Sequence, residues 1–274
     1  MRRCGIITVV FVLICLLHQY VWFGLAYTHY AAQLYRLSSP RYTIIVGGGD
    51  TTTTTSTTPL ILHQTYRTRD SVPEKWRNTS ESCRRIHDHW TEQYFWSDES
   101  GRAFIAEYFP PEALATYDSY VFPIQRADAL RYYVLYHYGG VYLDLDIGCL
   151  VAMDRVGVTR YPFGLASTVP IGFSNDFMMA RARHPFMKHL IGRLAQYNQW
   201  YINYYLTVMY STGPMFLTIN YLEYMTSQAV RDDEDSVYVL NETLYGSQNH
   251  SANLFYHVEG SSWHNYKLPS PVGI

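Results

Sequence analysis

Apolar and polar positions alternate most cleanly over residues 141–147, where Val141, Leu143, Leu145 and Ile147 interleave with Tyr142, Asp144 and Asp146. Side chains on a strand point to opposite faces with period two. The run therefore predicts a strand over 142–147 whose apolar set meets a core while both aspartates share the other face. Shorter runs predict strands over 60–63, 93–96, 236–240 and 254–257. Helical patterns cover 73–89, 124–138, 184–197 and 214–228; Pro73 and Pro123 stand at two starts and Gly139 follows one end. Strands and helices taken in this order favour an α/β layered domain. Ligands of such sheets sit beyond the carboxyl ends of strands, and Asp144 and Asp146 stand at such an end, just before Gly148.

Ahead of this domain the pattern changes twice. Arg2 and Arg3 precede an apolar run from Gly5 to Leu17, interrupted by His18 and Gln19 and resumed from Tyr20 to Tyr27. Taken whole, the run reaches the ~20 residues a membrane-spanning helix needs, and the two arginines would keep the short tail cytoplasmic. A cleaved signal peptide ending near Gly24-Leu25-Ala26 is the rival reading; the uncleaved anchor is favoured. From Ser38 to Pro59 the hydrophobic period disappears into a glycine cluster and a threonine run, which predicts an extended stem. The expected organisation is an anchor over 1–29, a Thr-rich stem over 30–59 and one packed domain over 60–274.

Charge and cysteines narrow the setting. A net charge of −2 leaves no basic footprint for nucleic acid. Sequons at Asn78, Asn241 and Asn249 fit a secretory-pathway chain. Cys4 and Cys15 fall in the expected anchor; Cys83 and Cys149 either pair in an oxidising compartment or stay as buried thiols.

Two carboxylates in an apolar run are costly unless something positive meets them. A divalent cation with hard oxygen ligands, Mg²⁺ or Mn²⁺, satisfies both and commonly bridges to a diphosphate. This points to a nucleotide-sugar enzyme, although an isolated D-x-D also serves as a strand cap. The preceding helical pattern adds Asp128 and Arg131, three apart and so on one helix face. The acid suits sugar hydroxyls and the guanidinium suits a sugar or phosphate.

The set Arg126-x-Asp128-x-x-Arg131-Tyr132, Gly139-Gly140-Val141-Tyr142-x-Asp144-x-Asp146 resembles the signature of the DXD sugar-binding glycosyltransferases, glycosyltransferase family 32. His63-Gln64-Thr65-Tyr66-Arg67-Thr68, Ser174-Asn175-Asp176, Ser211-Thr212-Gly213-Pro214 and Ser261-Ser262-Trp263-His264 extend the resemblance in family order. Within that family the chain is similar to the branch that mannosylates inositol phosphorylceramide. The resemblance implies a GT-A (Rossmann-like) fold, a GDP-mannose donor, Mn²⁺ or Mg²⁺, a sphingolipid acceptor and a Golgi membrane setting with the catalytic domain lumenal. It leaves room for a regulatory membrane subunit. By matched position it implies Asp146 as direct metal ligand, with Asp144 in the metal shell and on the donor ribose. It sets Asp128 and Arg131 on the sugar hydroxyls and Asn175 and Asp176 facing the reacting sugar or the acceptor. It puts His63, Gln64, Thr65 and Tyr142 in the donor pocket, Ser261 and Trp263 over the diphosphate, and His264 as a further metal ligand. His257, alternating with Phe255, reads as structural.

Retention of anomeric configuration is likewise implied, with front-face attack and the leaving phosphate taking the acceptor proton. Two alternatives stay open at this point. One is a family hexosyltransferase acting on a glycan or protein from a UDP- or GDP-sugar. The other is a non-catalytic lumenal subunit that binds sugar nucleotides.

Overall fold

A computed structural model of the chain describes residues 21, 43–44, 57–168, 172–227, 235–240, 242–246 and 253–260. The expected anchor lies outside the described residues apart from Val21. Among the described residues no helix is long and apolar enough to cross a membrane.

The chain from residue 40 onward is built on a six-stranded mixed sheet in the order β2-β1-β3-β6-β5-β7. Strand β1 (Ile61–Thr65) leads through helix α1 (Glu74–Ile86) to β2 (Glu92–Trp96). Helices α2 (Asp98–Tyr108), α3 (Pro111–Asp118) and α4 (Pro123–Tyr138) then return the chain to β3 (Gly140–Leu143). Strands β2, β1 and β3 are parallel, as crossovers through helices require. Strand β4 (Ile147–Cys149) leaves this sheet. Next come β5 (Phe163–Ser167) and β6 (Phe173–Ala180), which pair antiparallel, with β6 also antiparallel to β3. Helices α5 (Pro185–Tyr197), α6 (Tyr204–Ser211) and α7 (Pro214–Thr226) follow, then β7 (Tyr238–Leu240), α8 (Glu242–Tyr245) and β8 (Phe255–His257).

The core forms where both sheet faces are covered. Val141 and Leu143 of β3 meet Phe177 and Met179 of β6, with Ile147, Leu240 and Phe255, all at 0% exposure. Each such side chain contributes about 1.5–3 kcal/mol relative to its exposed state. Ile44 is part of the same cluster, and its N–H donates to Val239 O at 2.8 Å. Thr58 is buried too, its hydroxyl donating to Tyr161 O at 2.7 Å. The described residues 43–44 and 57–59, placed in the stem by composition, thus pack on the domain; polar content hid the one buried isoleucine.

The strand expected over 142–147 is a correction. β3 stops at Leu143, paired to Phe177, and Leu145-Asp146 form a turn before β4 begins in a separate two-stranded sheet with β8. The turn is fixed by Asp144 N–H to Asp176 O at 2.8 Å and Ile147 N–H to Asp144 O at 3.2 Å. The aspartates therefore sit on a tight bend at the end of β3. A period-two pattern does not distinguish two short strands flanking a bend from one long strand.

Entry into β3 requires glycine twice. Gly139 and Gly140 have φ of 69° and 98°, a region side chains rarely adopt. A Cβ on Gly139 would lie 2.6 Å from Ala182 N, and one on Gly140 2.6 Å from Ile61 O.

Cys83 of α1 and Cys149 of β4 form a disulfide across 66 residues of sequence. It ties the helix to the strand that follows the aspartate bend. Chain-entropy reasoning assigns a loop of that length about 4 kcal/mol, with about 2–5 kcal/mol typical for native bridges. Cys83→Ser is expected to lower urea-unfolding stability by that order, and an unchanged denaturation midpoint would show that the bridge does not form.

Candidate active site

A cavity of about 610 Å³ opens at the carboxyl ends of the adjacent parallel strands β1 and β3. Thr65 lines it from β1; Asp144 and Asp146 line it from the bend after β3; Asn175 and Asp176 come from β6, and Asp128 and Arg131 from α4. Trp76 of α1 and Tyr204, Tyr205 and Met209 of α6 complete much of the wall.

Helix α4 starts at Pro123, whose missing N–H is no loss in the first helical turn. Its polar pair faces inward. Arg131 Nη2 lies 3.0 Å from Asp128 Oδ1 and 3.4 Å from Asp144 Oδ1, so the i,i+3 pair bridges the helix to the aspartate bend. Arg131 Nη1 donates to Asn175 O at 2.5 Å, and the guanidinium stacks on Tyr142, 4.6 Å from the ring centroid. Asp128 is 3% exposed and Arg131 2%. The remaining acceptors of Asp128 are taken by Asn175 Nδ2 at 3.0 Å and Thr212 Oγ1 at 3.1 Å. Tyr132 Oη donates to Thr212 O at 2.6 Å and fixes that threonine in turn.

Around Asp144 the sheet supplies a further brace. Tyr142 Oη donates to Asp144 Oδ1 at 2.7 Å. Val258 N–H donates to Asp146 O at 3.0 Å, bringing the segment after β8 over the bend. A Cβ on Gly260 would meet the Asp146 carboxylate, so a side chain there would displace it. Asp176 Oδ2 accepts from Tyr245 Oη at 2.5 Å, and His257 Nε2 lies 2.9 Å from Tyr245 O. His257 is thus a brace for the tyrosine, in keeping with its structural reading.

Electrostatics favours a cation between these carboxylates. Burial pushes the Asp144 carboxyl up to about 7; Arg131 works against the rise, while Asp146 and Asp176 add to it. Asp146 is raised by burial and then by Asp176. Asp128 is raised by burial too, opposed by Arg131, Thr212 and Asn175. Among the described residues Asp176 Oδ1 is buried with no hydrogen-bond partner. An orphaned carboxylate oxygen and two mutually repelling aspartates are a donor set that fits Mg²⁺ or Mn²⁺. No three His, Cys, Asp or Glu side chains are pre-assembled around one point among the described residues. That arrangement matches ions that take one or two protein carboxylates and fill the rest with phosphate and water.

The pH consequence has a defined sign. Asp144 holds its proton up to about 7 when folded, against about 3.9 when unfolded. The folded state therefore binds more protons between these values, and metal-free stability is expected to fall as pH rises through that window. Metal binding must displace that proton, so Mn²⁺ affinity is expected to strengthen with pH up to about 7 and then level off. Calorimetric titrations in buffers of different ionisation enthalpy check this; proton release that is absent at pH 5.5 would contradict it.

Several expected site residues are placed differently. His63 is fully buried, its Nε2 against Gly139 O at 2.9 Å and its Nδ1 accepting from Trp96 Nε1 at 3.2 Å. Burial pushes its pKa down to about 4, so it is neutral. Gln64 Oε1 accepts from Ser80 of α1 at 2.5 Å. Neither lines the cavity, because only the last residue of β1, Thr65, reaches the strand's carboxyl end. Tyr142 lies beneath Arg131 and positions Asp144 from outside the lining. Ser261, Trp263 and His264 lie outside the described residues. Tyr245 and the wall residues Tyr204, Tyr205 and Met209 were missed in the sequence; they sit in ordinary apolar stretches, and only tertiary placement marks them.

Comparison with known proteins adds the family. The family model "Glycosyltransferase sugar-binding region containing DXD motif" matches residues 73–161. The chain is 40% identical over 211 residues to inositol phosphoceramide mannosyltransferase 1 of Schizosaccharomyces pombe, covering 75% of this chain and 62% of that protein. It is 39% identical over 206 residues to mannosyl phosphorylinositol ceramide synthase SUR1 of Saccharomyces cerevisiae, covering 75% of this chain and 52% of that protein. Among solved structures, a PaToxG glycosyltransferase matches with a TM-score of 0.49 at 15% identity, over 64% of this chain and 71% of that chain. The chain is thus similar to DXD-containing glycosyltransferases, by the family model over residues 73–161 and by these relatives over about three-quarters of its length. It spans about half to three-fifths of the length of the curated relatives named here.

Proposed function

We propose that this protein is a metal-dependent retaining glycosyltransferase of GT-A type that moves mannose from GDP-mannose to inositol phosphorylceramide. The observation that carries the reading is the bend at Asp144 and Asp146, joined through Arg131 to Asp128 at the floor of a cavity fit for a sugar nucleotide. The relatives' names supply the donor sugar and the acceptor class.

In this reading Asp146 and Asp144 hold Mn²⁺ or Mg²⁺ against the donor diphosphate. The bound ion supplies charge neutralisation of the leaving nucleoside diphosphate. Arg131 lies beside both Asp144 and Asp128 and opposes the burial-driven rise in their pKa, favouring their charged forms. Asp128, whose oxygens are engaged by Arg131, Asn175 and Thr212, fixes those three groups at the cavity floor where the donor sugar would sit. Asp176, held through Oδ2 by Tyr245, offers its free Oδ1 to the positive charge that develops at the anomeric carbon. The leaving phosphate takes the acceptor proton during front-face attack, so no separate general base is required. A sugar ester on Asp176, or inverted product, would remove this mechanism.

The disulfide and the exposed sequon residue Asn78 support a lumenal, secretory-pathway setting, with the Golgi membrane as the proposed site. The test is to offer the full chain GDP-mannose or UDP-hexoses, with Mn²⁺ and inositol phosphorylceramide, and to read lipids by mass spectrometry. A mannosyl lipid formed from GDP-mannose is expected. A hexosyl product from a UDP donor would reassign the donor, and silence with every donor from folded, metal-binding protein would overturn the enzymatic reading.

A further inference from the structure

One wall of the cavity continues outward into a surface that the chemistry above does not use. The turn at 119–122 and the segment at 198–205, the loop before α6 and the start of that helix, touch: Asn198 Nδ2 donates to Ser119 Oγ at 2.7 Å, and the Phe122 ring lies 6.4 Å from Trp200 and 4.6 Å from Tyr204. Val121 is 75% exposed, Trp200 60%, Ile202 63% and Tyr205 42%. Tyr204 and Tyr205 also line the cavity, so this apolar rim is continuous with its mouth.

The loop is built inside out for a water-facing segment. Its polar side chains are spent on the protein: Asn203 Oδ1 caps α6 by accepting from Leu206 N–H at 2.9 Å, and Gln199 Nε2 donates to Tyr201 Oη at 3.0 Å. Thr207 Oγ1 accepts from Tyr201 N–H at 3.0 Å. Ile202 is held at φ 47°, with Asn203 N–H donating back to Tyr201 O, a conformation costly for a β-branched residue. The outcome is a braced loop that turns tryptophan and isoleucine outward. Residues 198–210 carry no charged side chain. An uncharged Trp- and Tyr-bearing edge at the mouth of the cavity suits the bilayer interface, where charge is costly and amphipathic rings settle at headgroup level.

We propose that the rim formed by Val121, Trp200, Ile202 and Tyr205 dips into a lipid surface and sets the cavity mouth at headgroup level. The choice of a lipid surface as occupant rests on the lipid-acceptor reading above. The rim enters the bilayer interface while a headgroup enters past Tyr205, so the acceptor need not leave the membrane.

The test uses the full chain reconstituted in phosphatidylcholine vesicles with bromine on the acyl chains. Subtracting the spectrum of Trp200→Phe from that of the wild type isolates the emission of one tryptophan among six. Blue-shifted Trp200 emission that bromine quenches is expected. Trp200→Ser combined with Ile202→Ser is expected to slow mannosyl transfer to vesicle-borne acceptor by about tenfold or more, with transfer to a water-soluble inositol phosphate unchanged. Emission that bromine leaves untouched in protein that floats with the vesicles would overturn the proposal. A concentration-dependent blue shift without lipid would overturn it in favour of a second copy of the chain. Quenched Trp200 with no lipid product from any donor would uphold the rim and remove the lipid-acceptor reading instead.

Discussion

Asp146→Asn is expected to lower metal-dependent sugar transfer by about 10³-fold while leaving the fold intact or slightly firmer. Both halves follow from the same geometry. The Asp146 carboxyl is raised by burial and by its neighbour Asp176, so in metal-free protein its charge is a burden. The amide keeps the shape and removes that charge, so metal-free melting should stay level or rise. The function lost is the negative oxygen that meets the cation, and excess Mn²⁺ should restore little of it. Initial rates over a range of Mn²⁺ concentrations, beside thermal unfolding in chelator, check both signs. A rate within tenfold of wild type would move the metal to other ligands.

Arg131→Met carries the largest expected stability effect. Burial works against the Arg131 charge, and Asp144, Tyr142 and Asp128 outweigh it, so its pKa is raised. Removing the guanidinium strands two carboxylates: Asp128, almost fully buried, and Asp144, whose side chain is 32% exposed. Breaking a buried pair in this way costs about 3–5 kcal/mol, a large share of the roughly 5–15 kcal/mol that holds a domain together. Arg131→Lys keeps the charge but loses the fork that reaches Asp128, Asp144 and Asn175 O together, so it should fall between. Adding Asp128→Asn to Arg131→Met should recover part of the loss, because it removes one stranded charge. Urea unfolding of wild type, Arg131→Met, Arg131→Lys, Asp128→Asn and the double variant measures this. Simple additivity of the two substitutions would show that the pair is not coupled.

Much of this site was legible because its chemistry is local in sequence. Gly139, Gly140, Asp144 and Asp146 lie within eight positions, and Asp128 and Arg131 belong to the helix that feeds them. The existence of α1, α4, α5 and α7 followed from period and proline placement. Strand β6 was not foreseen as an element, although Asn175 and Asp176 were singled out within it. It is buried on both faces towards its end, so Phe177, Met178, Met179 and Ala180 form an unbroken apolar run without alternation. Helices α2, α3 and α6 were missed for a related reason: short amphipathic or all-apolar segments give little period to read. His63 and Gln64 were drawn into the pocket by motif order, whereas strand geometry lets only the final residue of β1 reach the cavity. Tyr245 carries no sequence mark at all, and Thr212 stood in the Ser211-Thr212-Gly213-Pro214 run with nothing local to show its role; each acts by holding a carboxylate that the fold brings from far along the chain.

The Asp144–Asp146 bend must act as the seat of a metal–diphosphate pair for the proposed transfer to occur. Calorimetric titration of GDP-mannose into the full chain, with Mn²⁺ or with chelator, tests it most directly, beside Asp144→Asn and Asp146→Asn. The expected result is saturable binding that needs Mn²⁺ and is lost in both variants. Donor binding of equal strength in chelator, or unchanged in both variants, would contradict it.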